Sequence, residues 1–335
     1  MSRAILLAFA IGGTIVARQT SAASDSAQWQ RECERIRKAF VKLCGEWPTE
    51  RVPLAPRTLA VEELPTHTRR RVSYAVAPGE RVQAYVLIPK GATGRLPGVV
   101  CFHPTCADGK DIVVGLSGKA SRHYGAHLVE RGFVVLAPDD DTAGSRRTKG
   151  YKAYDTAPFY QQHPKWSAVG KIVWDARYAL DYFTSLRCVD PKRIGAIGHS
   201  QGSSDTIFAA AMDERIKVAV GNGGSICFES PSWCRTEWWV GVPKLRRHQK
   251  AGKLPVHFYE LMALIAPRPL LNMNCERGDG HSPAQRDEAF ERVRVAYRRL
   301  GAERQLGLGI TPGGHNFPAA ARKRAYAWLD RWLKK

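Results

Sequence analysis

The feature of this chain that most restricts its fold is an alternation of short apolar runs with longer amphipathic stretches. Gly98–Phe102, Phe133–Pro138, Arg193–Ile197, Ile216–Val220, Arg268–Met273 and Gln305–Ile310 read as strands. Ser121–Arg131, Val169–Leu186, Ser203–Met212, Gln285–Leu300 and Pro318–Leu333 carry apolar residues at helical spacing. A strand with no polar face is buried on both sides, so helices must cover both faces of a mostly parallel sheet. Arg71–Val76 and Val82–Ile88, joined by a Pro-Gly turn, add an antiparallel pair. The expectation is an α/β fold with a mostly parallel sheet of eight strands and helices on both faces. A further helix over Trp29–Cys44 packs on the domain.

One strand ends in Gly198-His199-Ser200-Gln201-Gly202, and a helix follows at once. Gly-x-Ser-x-Gly between strand and helix is the signature of a sharp elbow that lifts a serine above the sheet. Side chains at Gly198 and Gly202 would collide with the neighbouring strand and helix. In isolation the pattern reads more plainly as a Gly/Ser turn; the flanking strand and helix favour the elbow.

A serine hydroxyl needs a base to take its proton and a group to orient that base. In a parallel sheet these belong on loops at the strand ends, in the chain order Ser, acid, His. His315 follows the last strand, in Thr311-Pro312-Gly313-Gly314-His315, and is the expected base. Asn316 reads as a helix cap. The acid belongs after the Arg268 strand, where Asp279 is preferred and Glu276 is the alternative, the latter otherwise pairing with Arg277 or Arg268. His281 lies on the acid's loop and reads as a rim residue. Two backbone N–H groups must stabilise the oxyanion. Gln201 supplies one, and the loop after the Gly98 strand supplies the other, from Thr105 or its neighbour Cys106; Pro104 has no N–H to give.

Over residues 70–335 the chain resembles α/β-hydrolases of the dienelactone-hydrolase-like and acetyl-xylan-esterase-like group. The resemblance is carried by Phe102-His103-Pro104-Thr105, Arg131–Asp139, Val189–Gly195, Gly198–Gly202, Ile265–Leu271 and Gly314-His315. Dienelactone hydrolases proper use a cysteine nucleophile, where this chain has Ser200. The resemblance implies a serine esterase with a Ser200, Asp279, His315 triad, no metal and no organic cofactor. It also points to an acylated or esterified carbohydrate, either a small molecule or a polysaccharide.

The ends and the charge add to this. Met1-Ser2-Arg3, the apolar Ala4–Ala17 and the small residues Thr20–Ser24 follow the order of a secretory signal, with cleavage after Ala23. The expected domains are therefore a signal over 1–23 and a hydrolase domain over 24–335, with a secreted or periplasmic product and no stable membrane insertion. The net charge of +20 stays strongly positive after loss of Arg3 and Arg18. It reads as an arginine-rich surface, or as attraction to an acidic polymer such as a uronic acid-bearing polysaccharide. No zinc-finger, helix-turn-helix or aromatic RNA-binding pattern accompanies it, which argues against nucleic acid.

None of the eight cysteines forms a C-x-x-C pair, so no structural zinc is expected. Cys227 and Cys234 flank a short loop that a disulfide would close. The crossing between the Ile216 and Arg268 strands runs to about 45 residues, and so long a connection carries structure of its own. Its basic, Trp-rich part over about 225–255 reads as a cap-like insertion. Trp233, Trp238 and Trp239 either stack on sugar or form the core of that cap.

The expected activity is serine-dependent hydrolysis of carboxylic esters. A prolyl-oligopeptidase-type peptidase uses the same residues, but no upstream propeller is present here. A non-catalytic basic binding protein would have no need of the complete Ser, Asp and His set. Hydrolysis of esters against aminoacyl-nitroanilides separates the three.

Overall fold

A computed structural model describes residues 27–91, 93–224, 226–229, 233 and 242–335. Nine strands form one sheet: β1 (Arg57–Glu63), β2 (His67–Ala77), β3 (Glu80–Pro89), β4 (Leu96–Phe102), β5 (Val134–Pro138), β6 (Val189–His199), β7 (Ile216–Asn222), β8 (Leu270–Cys275) and β9 (Leu306–Thr311). Their order is β1-β2-β3-β5-β4-β6-β7-β8-β9. β1, β2 and β3 run antiparallel, as does the β3–β5 pair. From β5 to β9 every pairing is parallel.

Eight strands lie where the apolar runs predict them, and β1 is the ninth. Every residue of β1 is exposed, so no buried face gives it a periodic pattern. Its long pairing with β2 and the Arg69–Glu62 ion pair hold it at the edge.

The parallel strands carry alternate residues into two cores. Val100 and Phe102 of β4 join one buried cluster, and Val99 and Cys101 join the other. The principal helices are α1 (27–44), α2 (Tyr124–Glu130), α3 (Ala168–Ser185), α4 (Gln201–Met212), α5 (Phe258–Ala263), α6 (Pro283–Arg299) and α7 (Ala319–Leu333). α1, α3, α4, α5 and α6 cover the first cluster. α2 and α7 cover the second. Helix starts follow local chemistry: the Ser167 hydroxyl accepts from the Gly170 N–H, and Ser282 with Gln285 forms a reciprocal cap before Pro283.

Arg268 lies outside β8. Its guanidinium donates to the carbonyls of Ala210 and Ile216 and ties the β8 approach to α4 and β7. Of the insertion's tryptophans, Trp233 is buried among Phe208, Phe228 and Phe258, with ring centroids 5.1–5.9 Å apart. It belongs to the core and offers no face to a sugar. Trp238, Trp239 and Cys234 lie outside the described residues, as does the leader expected over 1–23. Among the described residues no helix is long and apolar enough to cross a membrane.

Candidate active site

The elbow is set by close approach of backbone. Ser200 has φ 59° and ψ −120°, a region that L residues enter only when the surroundings impose it, at a cost of about 1–3 kcal/mol. A Cβ on Gly198 would lie 2.0 Å from the Gly202 carbonyl oxygen. A Cβ on Gly202 would lie 2.2 Å from the Phe102 carbonyl oxygen. The two glycines thus let α4 settle against β4 and β6. The Ser200 N–H donates to the Asn222 carbonyl at 2.8 Å, which extends the β6–β7 ladder into the turn.

His315 stands on the loop after β9, and its Nε2 lies 2.7 Å from Ser200 Oγ. Its Nδ1 lies 2.7 Å from Asp279 Oδ1. A carboxylate only accepts, so Nδ1 carries the proton and Nε2 accepts from the serine hydroxyl. The Asp279 side chain is almost wholly buried, whereas His315 is about one-third exposed. The other Asp279 oxygen accepts from the Cys275 N–H at 2.5 Å and faces the Asn274 amide at 3.4 Å. Gly278 has φ +94°, and a Cβ there would stand 3.2 Å from that of His315. The acid and histidine loops are therefore in direct contact.

Glu276 does not reach His315. Its carboxylate accepts from the Gly313 N–H at 3.1 Å, and its own N–H donates to the Thr311 carbonyl. It stitches the two loops together, which replaces the arginine pairing considered for it. His281 Nδ1 lies 3.2 Å from the Asp279 carbonyl oxygen. Asn316 does not cap the last helix, whose N-cap is Pro318. Its side chain accepts from the Phe317 N–H instead, and its carbonyl accepts from Asn222 Nδ2 at 2.9 Å.

The two candidate oxyanion amides meet across the β4 and β6 ends. Among the described residues neither the Thr105 nor the Gln201 N–H has a hydrogen-bond partner. The Cys106 N–H, the alternative donor, is taken by the Tyr154 hydroxyl at 2.8 Å. The Thr105 hydroxyl donates to Gln201 Oε1 at 3.3 Å.

Three neighbours were not singled out in the sequence. His199 is fully buried and lies against His315, with centroids 5.1 Å apart. Burial, then the nearness of His315, pushes it down to about 3, so the ring beneath the base stays neutral. Asn222 ties the elbow strand to the histidine loop. Tyr154, at φ 68°, fixes the Thr105 loop. The signal for the first two is a polar residue closing an apolar strand, at its C-terminal end.

Among the described residues, one group of possible metal donors converges here: Cys275, Asp279 and His315. Both His315 nitrogens are engaged, and burial pushes the Cys275 thiol up to about 12. A protonated thiol and an occupied imidazole fit a hydrogen-bond chain and not a metal ligand set.

Residues 58–227 match the family described as acetyl xylan esterase (AXE1). YtaP of Bacillus subtilis (strain 168) is 29% identical over 306 residues, covering 89% of this chain and 98% of that protein. A 4-O-methyl-glucuronoyl methylesterase of Neurospora crassa is 24% identical over 228 residues, covering 60% of this chain and 57% of that protein. Among solved structures, a glucuronoyl esterase from Solibacter usitatus matches with a TM-score of 0.68 at 17% identity, covering 88% of this chain and 91% of that one. Methylesterase BT1017 matches with a TM-score of 0.70 at 18% identity, covering 97% and 68%. The structural likenesses establish a common fold.

Proposed function

The chain belongs to the acetyl xylan esterase family, carboxylic ester hydrolases of carbohydrates, and on that premise we propose that it deacylates a sugar ester through Ser200, His315 and Asp279. The observation that carries this reading is the unbroken hydrogen-bond chain from Ser200 Oγ through His315 to Asp279. His315 Nε2 takes the Ser200 proton as Oγ attacks the ester carbonyl. The negative charge moves to the carbonyl oxygen, where the Gln201 and Thr105 N–H groups receive it. His315 returns the proton to the leaving sugar hydroxyl, and water repeats the sequence on the acyl-enzyme. Asp279 holds the productive tautomer and offsets the charge on the imidazolium.

A second reading reverses the ester: a sugar acid esterified to methanol, as the named activity of the Neurospora crassa relative would have it. The mechanism is unchanged, and only the leaving group differs. The abundance of Arg and Lys, with a net charge of +20, favours an acidic polymer as the bearer of the ester. The apolar Ala4–Ala17 stretch supports export as a mature chain from Ser24.

The test measures acetate released from acetylated xylan, methanol released from methyl glucuronate, and nitroaniline released from aminoacyl-nitroanilides. Acetate release that disappears in Ser200→Ala is expected. Nitroaniline release alone would overturn the ester reading, and undiminished turnover by Ser200→Ala would overturn the mechanism. N-terminal sequencing of the protein recovered outside the cytoplasm should begin at Ser24.

A further inference from the structure

Three consecutive acids, Asp139, Asp140 and Asp141, follow β5, and they are not equivalent. Asp139 lies 2.8 Å from the Lys110 ammonium and accepts the Ser145 hydroxyl. Asp141 lies 3.4 Å from the Arg146 guanidinium. Asp140 has no lysine or arginine within ion-pair distance among the described residues, and its basic neighbour is the buried His103, whose Nε2 lies 3.5 Å from Asp140 Oδ2. It is buried, and the Asp205 carboxyl, fully buried on the second turn of α4, acts on it electrostatically. Neither Asp205 oxygen has a hydrogen-bond partner among the described residues.

Two carboxylates cannot both be ionised face to face in a dry site. Burial, then the Asp140 charge, pushes Asp205 well above the usual carboxylate range.

Asp140 reaches the Thr105 loop in two ways, and one runs through His103: the Asp140 N–H donates to His103 Nε2 at 3.1 Å, and His103 Nδ1 lies 2.9 Å from the Pro104 carbonyl oxygen. Gln201 Nε2 donates to Asp140 Oδ2 at 2.8 Å, and Gln201 Oε1 accepts the Thr105 hydroxyl at 3.3 Å. Because Asp140 accepts on that side, the amide nitrogen of Gln201 must face it and the amide oxygen must face Thr105. The opposite side of the same loop is held by Tyr154 at Cys106. We propose that Asp140 is a positioning residue of the oxyanion hole: it orients the Gln201 side chain, which holds the Thr105 N–H beside that of Gln201. This rests on the reading of Ser200 as nucleophile and of the two amides as oxyanion donors. A loosened hole weakens the tetrahedral state and leaves ground-state binding alone, so kcat falls while KM stays.

The experiment follows p-nitrophenyl acetate hydrolysis and inhibition by butylboronic acid, which forms a tetrahedral adduct on a reactive serine. Gln201→Met keeps the volume and removes both side-chain bonds. It should lose roughly tenfold or more in kcat, part of what deleting one oxyanion donor costs, with KM within about twofold. The boronic acid Ki should rise by the same factor. Asp140→Asn still accepts from Gln201, so it should stay within about threefold of wild type. Asp140→Ala should lose what Gln201→Met loses, and the double variant should lose no more.

Full kcat in Gln201→Met overturns the proposal. So does an Asp140→Ala loss that is undiminished in the Gln201→Met background. If Asp140→Ala does not fold, the contrast between Gln201→Met and Asp140→Asn decides. Failure of a fluorophosphonate to label Ser200 in the wild type would instead sink the underlying nucleophile assignment.

Discussion

Replacing Asp279 by asparagine removes one acceptor from a site that has donors on both sides. One oxygen faces His315 Nδ1, and the other faces the Cys275 N–H and the Asn274 amide. An amide has one oxygen to offer. Turned toward His315, it would set its NH2 against two buried donors and leave the Cys275 N–H unsatisfied, at about 1–3 kcal/mol or more. Turned toward Cys275, it satisfies both donors and presents NH2 to His315. The second orientation wins. His315 Nδ1 must then accept, its proton moves to Nε2, and Nε2 no longer takes the proton of Ser200. A triad in the wrong tautomer loses on the order of 10³–10⁴-fold in kcat, about 4–5.5 kcal/mol of barrier. The assay is steady-state hydrolysis of p-nitrophenyl acetate at pH 7.5, with folding checked by circular dichroism. Glu276→Gln is the control. Its carbonyl still accepts the Gly313 N–H, so activity should stay within about twofold. Loss in Glu276→Gln with activity retained in Asp279→Asn would refute the assignment and the tautomer argument together.

Two further outcomes follow from geometry. Gly202→Ala forces a Cβ against the Phe102 carbonyl, which cannot yield without moving β4. It should destabilise by about 1–3 kcal/mol and lower activity, whereas Gly314→Ala, with open space around it, should stay within about 0.5 kcal/mol by urea unfolding. His199 is depressed to about 3 from an ordinary 6.5, so the unfolded chain binds a proton that the folded one refuses. The stability this provides is whole above pH 6.5 and is lost as pH falls toward 3, at up to about 1.4 kcal/mol per pH unit. Urea midpoints across that window should fall less steeply in His199→Phe, and equal slopes would refute the account.

Legibility followed sterics and burial. The elbow could be read because Gly-x-Ser-x-Gly is a packing requirement, and both glycines meet backbone at 2.0–2.2 Å. His315 could be placed because a parallel sheet presents its strand ends on one side. β1 was hidden because it buries nothing on either face. The choice between Asp279 and Glu276 turned on which side chain the loop carries inward, a matter of Gly278 at φ +94° and of the Gly313 contact. Asp140 carried no signal, because the side chain it holds, Gln201, lies 61 residues away on another element. Trp233 read equally well as a sugar platform or as core, and only its three phenylalanine neighbours make it core.

The most direct test of the central claim is the mass of the acyl-enzyme. The protein is mixed with p-nitrophenyl acetate, quenched in acid within the first turnover, digested and analysed by mass spectrometry. A single acetyl group on the peptide carrying Gly198–Gly202, absent in Ser200→Ala, is the predicted result. Acetylation of another residue, or full turnover with no acetyl group on Ser200, would contradict it.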